Sequence, residues 1–289
     1  MSIGLCLSGG GAKGAAHIGV LQALEEEGVK VDYISGCSSG SIVASLYAIG
    51  YSPKQILGMF TNYCKYITDY DKTVPFKILG MAFTGRLKLK GLAKGNNIEY
   101  FMRNFCYNKR VKSISDVKMP LAIPTVDIKS GEIIYFLSNK LDNNMCRNFD
   151  DVPSYEYDCD LASVVRASIS LPCIFEPKYI KGRYLIDGGI RMNSPVDILK
   201  KQGADKVITV SFDENKKSEV SNLNIVDVTL KSFDIMGHEI EYKQLMLSDI
   251  VIYPKMSNVS LLECSKITYA YNAGYEATKK NIKAIKALV

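Results

Sequence analysis

Short apolar runs of strand length alternate with helix-like stretches along most of this chain. The predicted strands are Ile3–Leu7, Val31–Ser35, Leu121–Val126, Ile133–Leu137, Tyr184–Ile186, Val207–Phe212 and Ile250–Tyr253. The predicted helices are approximately Ala12–Glu27, Ser39–Ile49, Asp160–Ser168, Asn224–Leu247 and Ile267–Leu288. Strands that alternate with helices favour a sheet covered on both faces. The pattern therefore predicts an α/β protein with three layers, α/β/α, around a mostly parallel central sheet.

Residues 51–110 interrupt this alternation. They contain two helix-like segments, about Pro53–Tyr66 and Asn97–Cys106, with basic and glycine-punctuated sequence between them. We therefore expect one domain over residues 1–289, with 51–110 as a lid-like insertion over one edge of the sheet. The basic run Arg86–Lys90 predicts peripheral contact of this insertion with an anionic membrane surface.

Composition narrows the classes of protein that this chain can be. No apolar run reaches the ~18 residues that a membrane span needs, and no basic region precedes the first strand, so we expect a cytoplasmic protein. The net charge of +6 is not clustered as in nucleic-acid-binding proteins, so no nucleic-acid partner is predicted. The eight cysteines form no C-x-x-C pair, which predicts scattered reduced thiols and no zinc site. The oligomeric state stays open.

A glycine-rich loop follows the first predicted strand and precedes the first helix. It satisfies G-x-G-x-x-G through Gly9, Gly11 and Gly14. This pattern is typical of dinucleotide-binding folds, but those place an acidic residue at the end of the second strand, and here Asp32 lies near its start. An NAD(P) oxidoreductase remains an alternative. In either case, close backbone approach at a helix N-terminus, with Lys13 nearby, suits a phosphate or a developing oxyanion.

The sequence G-C-S-S-G at positions 36 to 40 lies between the second strand and the second helix. In this context G-x-S-x-G is typical of a nucleophile elbow, with Ser38 at the strained centre and Gly36 and Gly40 removing clashing Cβ atoms. Cys37 is off the central position and is expected to face the core. Ser38 is therefore the candidate nucleophile.

Several later stretches recur in a known order with the glycine loop and the elbow. They are Arg166–Pro177, the D-G-G motif Asp187–Gly189, Asn193–Pro195, Ser248–Pro254 and Ala273–Tyr275. Taken together, the motifs resemble the patatin-like phospholipase family, particularly its bacterial members. The resemblance spans nearly the whole chain and is thin only over residues 51–110. It implies a patatin-like variant of the α/β-hydrolase theme.

The resemblance also implies a Ser-Asp catalytic dyad that hydrolyses carboxylic esters of lipids or lysolipids. By position, Ser38 is the nucleophile, Asp187 is the base, and the backbone amides of Gly9, Gly10 and Gly11 form the oxyanion hole. The residues that support these motifs are Lys13, Gly14, Gly36, Gly40, Gly188 and Gly189. No cofactor and no metal are implied.

The histidine content agrees with a carboxylate base. The chain has two histidines, His17 in register with core leucines of the first helix and His238 in a helical stretch remote from every motif. Asp187 instead ends a predicted strand and precedes two glycines. Two alternatives to the hydrolase stay open, the NAD(P) oxidoreductase and a catalytically silent lipid-binding module.

Overall fold

One mixed sheet forms the centre of the molecule. The computed structural model describes residues 1–66, 72–73, 89–141, 153–212, 224–257, 259–260 and 263–288. The strands in this part of the chain are β1 Ile3–Leu7, β2 Tyr33–Gly36, β3 Leu121–Asp127, β4 Ile133–Leu137, β5 Ser154–Glu156, β6 Lys178–Ile180, β7 Arg183–Asp187, β8 Lys206–Val210 and β9 Ile250–Ile252.

The sheet is mostly parallel, as the sequence predicts. The main path of strands runs β5-β4-β3-β2-β1-β8-β9. At its centre, Leu5 of β1 lies in register with Ile34 of β2 and with Ile208 of β8, both in parallel pairs. The antiparallel pairs join β3 to β4, β3 to β7 and β7 to β6. Residues Thr125 and Asp187 are partners in the β3–β7 pair, which brings the end of β7 beside the middle of the sheet.

Helices cover both faces of this sheet. They are α1 Ala15–Glu26, α2 Ser39–Ala48, α3 Pro53–Tyr63, α4 Asn96–Asn108, α5 Leu161–Ser168, α6 Val196–Gln202, α7 Ile225–Leu245 and α8 Ile267–Lys286. On one face, Leu5 and Leu7 of β1 share a large core with residues of α1, α2 and α8. On the other face, Cys6 packs against Val196 and Leu199 of α6. In the described part of the chain, no helix is both long and apolar enough to cross a bilayer.

Some predicted elements differ from the structure at their ends or in number. The first helix was expected from Ala12, but Gly11–Gly14 form a 3₁₀ turn and α1 starts at Ala15. The sequence analysis missed β5, β6 and α6. The two strands have three residues each and α6 has seven, so they are too short for hydrophobic periodicity to reveal.

The described helices of the 51–110 insertion pack against the core. Ile56 of α3 and Met102 of α4 are buried within it, and the Tyr63 ring lies 4.6 Å from that of Phe101. Most of the basic run lies outside the described residues, which include Lys90 but not 86 to 88. That this insertion acts as a lid and touches a membrane remains a prediction.

The expectation that all cysteines are reduced thiols is wrong for one pair. Cys64, after α3, and Cys264, just before α8, form a disulfide with Cα atoms 5.8 Å apart. Their sequence separation of 200 residues hides the pairing from any reading of local spacing. The bond ties the insertion to the C-terminal helix. The described free cysteines are Cys6, Cys37, Cys106, Cys159 and Cys173, of which Cys173 is exposed.

Candidate active site

Ser38 occupies a sharp turn between β2 and α2. Its φ of 50° and ψ of −123° lie outside the regions that non-glycine residues favour, which is typical of strain held at a functional turn. The flanking glycines are required for close approach, since a Cβ on Gly36 would lie 2.4 Å from the Gly40 oxygen. A Cβ on Gly40 would lie 2.3 Å from the Leu7 oxygen of β1. The turn therefore presents Ser38 beside the end of the central strand.

The Ser38 hydroxyl donates a hydrogen bond to Asp187. Ser38 Oγ and Asp187 Oδ2 are 2.7 Å apart, and the Gly189 amide donates to Asp187 Oδ1 at 2.8 Å. Asp187 is the last residue of β7. The next residue must be a glycine, because a Cβ at position 188 would lie 2.5 Å from the Pro124 oxygen of β3. The D-G-G motif thus turns the backbone tightly enough to aim one carboxylate oxygen at Ser38 and hold the other.

Both histidines lie in the described part of the chain, and neither hydrogen-bonds to Ser38 or Asp187 there. His17 is fully buried, with Nε2 2.8 Å from the Ser8 oxygen and its ring 4.7 Å from that of Phe212. Burial lowers the pKa of His17 to about 4, so the ring is neutral at pH 7 and its Nε2–H donates to Ser8. His17 therefore supports the backbone of the glycine loop.

Asp187 is almost completely buried, at 2% exposure. Burial raises the pKa of Asp187 from 3.8 to about 6, against the opposing effect of the hydrogen bonds from Ser38 and Gly189. A carboxylate with this pKa is still ionised at neutral pH, and it is a stronger base than an exposed aspartate. The group is thus matched to accept a proton from a hydroxyl that already points at it.

Replacement of Asp187 by asparagine should change stability in a pH-dependent way. Because the folded pKa is raised, the carboxyl favours folding fully below about pH 4, and this contribution is lost as pH rises through about 6. The two-unit shift corresponds to about 3 kcal/mol. We expect the free energy of unfolding of Asp187→Asn, relative to wild type, to increase by up to that amount from pH 4 to pH 8. Urea unfolding at both pH values measures it, and a difference that does not change with pH would contradict the burial argument.

Within the described residues, two of the three candidate amides of the glycine loop are unengaged. The Gly9 N–H donates to Asn193 Oδ1 at 3.0 Å, whereas in the described part of the chain the Gly10 and Gly11 amides have no acceptor. A Cβ on Gly10 would lie 2.4 Å from Phe212 Cδ2, so this loop is closely packed on one side. Within the described residues, Gly10 and Gly11 are thus the two candidate amides left to donate to an oxyanion, and an oxyanion hole formed by this loop remains a prediction.

The two remaining members of the loop motif have different surroundings. Gly14 faces the elbow helix, where a Cβ would lie 2.6 Å from Ser39 Oγ. This contact lets the loop lie directly against the start of α2. Lys13 is half-buried in the 3₁₀ turn, and its ammonium forms no ion pair with any residue that the structure describes. A role for Lys13 as an electrostatic helper remains a prediction.

The sequence analysis missed the roles of several residues around the dyad. Ser168 Oγ accepts the Ser38 N–H at 3.1 Å and donates to the Pro124 oxygen at 2.9 Å, which fixes the elbow backbone. Ser168 stands in the Arg166–Pro177 motif, so a signal for it was present. Cys37 is buried as expected, with Sγ 3.7 Å from Asp187 Oδ1. Burial and the Asp187 charge raise the pKa of Cys37, so its thiol stays protonated.

Comparison with known proteins gives matches over most of the chain. Residues 5–200 match the Patatin-like phospholipase family. Lysophospholipase NTE1 of Meyerozyma guilliermondii is 24% identical over 95% of this chain, which spans only 19% of that protein. The uncharacterized protein YqhO of Bacillus subtilis is 30% identical over 71% of this chain and 69% of its own length. The solved structure of VipD from Legionella pneumophila, 17% identical, covers 98% of this chain and 67% of its own with a TM-score of 0.49.

The family match covers well over half of the chain and includes the glycine loop, the elbow and the D-G-G motif. It confirms the resemblance drawn from the motifs. The chain belongs to the patatin-like phospholipase family.

Proposed function

We propose that this protein hydrolyses carboxylic esters of lipids with Ser38 as nucleophile and Asp187 as base. The observation that carries the proposal is the 2.7 Å hydrogen bond between Ser38 Oγ and Asp187 Oδ2 at a strained elbow. A serine hydroxyl is a weak nucleophile until a neighbouring base accepts its proton. The buried carboxylate of raised pKa supports that role for Asp187.

In the first half of the reaction, Ser38 Oγ forms a bond to the ester carbonyl carbon while its proton passes to Asp187 Oδ2. The carbonyl oxygen becomes an oxyanion, for which the backbone amides of Gly10 and Gly11 are the proposed donors. The tetrahedral intermediate then breaks its bond to the alcohol oxygen. That oxygen takes the proton from Asp187 and leaves, and the acyl group stays on Ser38.

In the second half, a water molecule attacks the acyl carbon and passes a proton to Asp187. The new tetrahedral intermediate breaks the bond to Ser38 Oγ, which takes back the proton, and the carboxylic acid leaves. The same carboxylate therefore acts as base and acid in each half, and the cycle returns Ser38 and Asp187 to their starting states.

The family and an apolar groove beside α2 support the proposed class of substrate. The groove lies between α2, α3 and α4 and is lined by apolar and aromatic side chains. Its first lining residue on α2, Ile42, lies one helical turn after Ser38. This position suits the hydrocarbon chain of an acyl ester. Because a relative is named a lysophospholipase, lysophospholipids are the first substrates to test.

We expect ester hydrolysis to rise with pH through an apparent pKa of about 6. Asp187 must be ionised to accept the Ser38 proton, and its pKa is raised to about 6, so kcat/KM should fall on the acid side of that value. The measurement is fatty-acid release from lysophospholipid, phospholipid and diacylglycerol, together with a soluble nitrophenyl ester, between pH 4.5 and 8.5.

Two results would contradict the proposal. One is the absence of hydrolysis for every ester in that set by a folded protein, which would favour the silent lipid-binding module. The other is tight binding of a nicotinamide dinucleotide, which would favour the oxidoreductase. In the structure β2 ends at Gly36, so the position where a dinucleotide-binding fold places its ribose-binding acid is taken by the elbow.

A further inference from the structure

We propose that Glu241 is a positioning residue of the active site, which acts through Asn193 to fix the orientation of the Gly9 peptide. The inference rests on the proposed function of the glycine loop as the oxyanion-binding element. Glu241 lies on α7, 39 residues after Gln202 at the end of α6 and outside every motif that the sequence analysis used.

The Glu241 carboxylate is buried and accepts hydrogen bonds from three side chains. It is 5% exposed. Its Oε2 accepts from Asn193 Nδ2 at 2.9 Å, and its Oε1 accepts from Ser194 Oγ at 2.5 Å and from Ser211 Oγ at 3.0 Å. A buried carboxylate is tolerated when its lone pairs are satisfied in this way. Asn193 and Ser194 follow β7, and Ser211 follows β8. The Glu241 side chain therefore links both of these segments to α7.

The carboxylate determines which end of the Asn193 amide faces the glycine loop. An ionised carboxylate only accepts hydrogen bonds, so Asn193 must turn its NH₂ group toward Glu241. Its carbonyl oxygen then points the other way, where the Gly9 N–H donates to it at 3.0 Å. With the amide reversed, an NH₂ group would face the Gly9 N–H and both hydrogen bonds would be lost. Glu241 thus selects the orientation that holds Gly9.

Asn193 also sets the spacing between the two catalytic loops. A Cβ on Gly9 would lie 2.6 Å from Asn193 Oδ1, and a Cβ on Gly189 would lie 3.2 Å from the same atom. The Gly189 amide in turn donates to Asp187. One side chain therefore packs between the oxyanion loop and the loop of the base. Rotation of the Gly9 peptide would reorient the amide of Gly10, the next residue along the chain.

A second side chain of α7, Gln244, hydrogen-bonds to the backbone on both sides of Asn193. Gln244 Oε1 accepts the Ser194 N–H at 2.8 Å, and Gln244 Nε2 donates to the Arg191 oxygen at 3.0 Å. Gln244 lies three residues after Glu241, on the same face of the helix. The backbone of this segment stays anchored when Glu241 is changed, so a Glu241 variant tests the orientation of Asn193.

The first test compares three substitutions on α7. In Glu241→Leu we expect kcat for a soluble ester to fall about 10- to 100-fold with little change in KM, because the oxyanion donors are misplaced. Glu241→Gln should recover most of kcat, since its carbonyl can accept from Asn193 and its NH₂ can donate to the serine hydroxyls. Glu239→Leu, at an exposed position of the same helix, is the matched control and should behave as wild type.

The second test asks whether Glu241 acts through Asn193. If it does, Asn193→Leu should lower kcat as well, and the double variant Glu241→Leu/Asn193→Leu should be no slower than Asn193→Leu alone. Multiplicative losses, or a Glu241→Leu protein with wild-type kcat, would overturn the proposal. Non-additivity of this kind is the signature of two groups in one chain of contacts.

Hydrogen–deuterium exchange measures the same positioning without reference to catalysis. In Glu241→Leu, deuterium uptake should rise in peptides that cover residues 8–14 and stay unchanged in β3 and β4, whereas Glu241→Gln and Glu239→Leu should match wild type. Unchanged uptake over 8–14 in folded Glu241→Leu would overturn the proposal. If Glu241→Leu does not fold, deuterium uptake over residues 8–14 is compared between Asn193→Leu and wild type, and it should rise in Asn193→Leu. A wild-type protein that hydrolyses no ester would reject the proposed function, and the exchange result would still decide the positioning role.

Discussion

Replacement of Ser38 by alanine is expected to lower kcat for ester hydrolysis by about 10⁴-fold or more, since a serine nucleophile has no substitute in the mechanism. The hydroxyl is the group that forms the acyl bond, and in this structure it is also the donor to Asp187 Oδ2. The substitution should leave the fold intact, because Asp187 keeps its hydrogen bond from Gly189 and the Ser38 amide keeps its bond to Ser168. Turnover of a nitrophenyl ester and of a lysophospholipid measures the effect.

Ser45→Ala is the matched control for this prediction. Ser45 lies on α2, the helix that follows Ser38, and it is buried. Its hydroxyl has no hydrogen-bond partner in the part of the chain that the structure describes. It should retain wild-type turnover. If purified, folded Ser38→Ala hydrolysed either ester at a rate near that of wild type, Ser38 would not be the nucleophile.

Replacement of Asp187 by asparagine is expected to lower kcat by a comparable factor, about 10³-fold or more. Asparagine keeps the shape, and with its oxygen accepting from the Gly189 N–H its NH₂ group faces Ser38 Oγ as a donor. That NH₂ group cannot take up the Ser38 proton, so the loss would report the missing proton acceptor. The double variant His17→Gln/His238→Gln should keep most of its activity. Glutamine at position 17 retains an N–H donor for the Ser8 oxygen, which preserves the support that His17 gives to the glycine loop.

The pH profile of the histidine-free double variant tests whether Asp187 or a histidine is the base. Because burial raises the pKa of Asp187 to about 6, its titration falls close to the ordinary histidine value of about 6.5, so an acid limb in wild type alone does not identify the base. The limb should survive when both histidines are gone. Asp32→Asn, a change from carboxylate to amide just before β2 and outside the site, is a control and should leave turnover unchanged.

Local patterns were enough to predict the centre of the fold and the tight turn at Ser38. The alternation of apolar runs and helices predicted a mostly parallel sheet, because buried strands are short, continuous and apolar, but it did not predict the order of the strands. The elbow is recognisable because Gly36 and Gly40 stand at fixed distances from Ser38, and the structure shows the backbone contacts that exclude larger residues there. Asp187, 149 residues away, was reached through the family resemblance and its D-G-G motif.

Contacts between distant segments could not be read from spacing. Glu241 is 48 residues from Asn193 and lies in a helix with no motif, so nothing in the sequence places its carboxylate beside the glycine loop. The engagement of the Gly9 amide follows from that contact and was missed with it. The Cys64–Cys264 disulfide and the three-residue strands β5 and β6 depend in the same way on tertiary neighbours.

Covalent labelling with a fluorophosphonate tests the Ser-Asp dyad most directly, because phosphonylation needs an activated serine but no particular lipid. The labelled residue is mapped by mass spectrometry, and the labelling rate is compared among wild type, Ser38→Ala, Asp187→Asn and the histidine-free double variant. We predict one adduct on Ser38 at similar rates in wild type and the histidine-free protein, none in Ser38→Ala, and labelling at least about 100-fold slower in Asp187→Asn. An adduct on another residue, or labelling that is lost without histidine and kept in Asp187→Asn, would contradict the dyad.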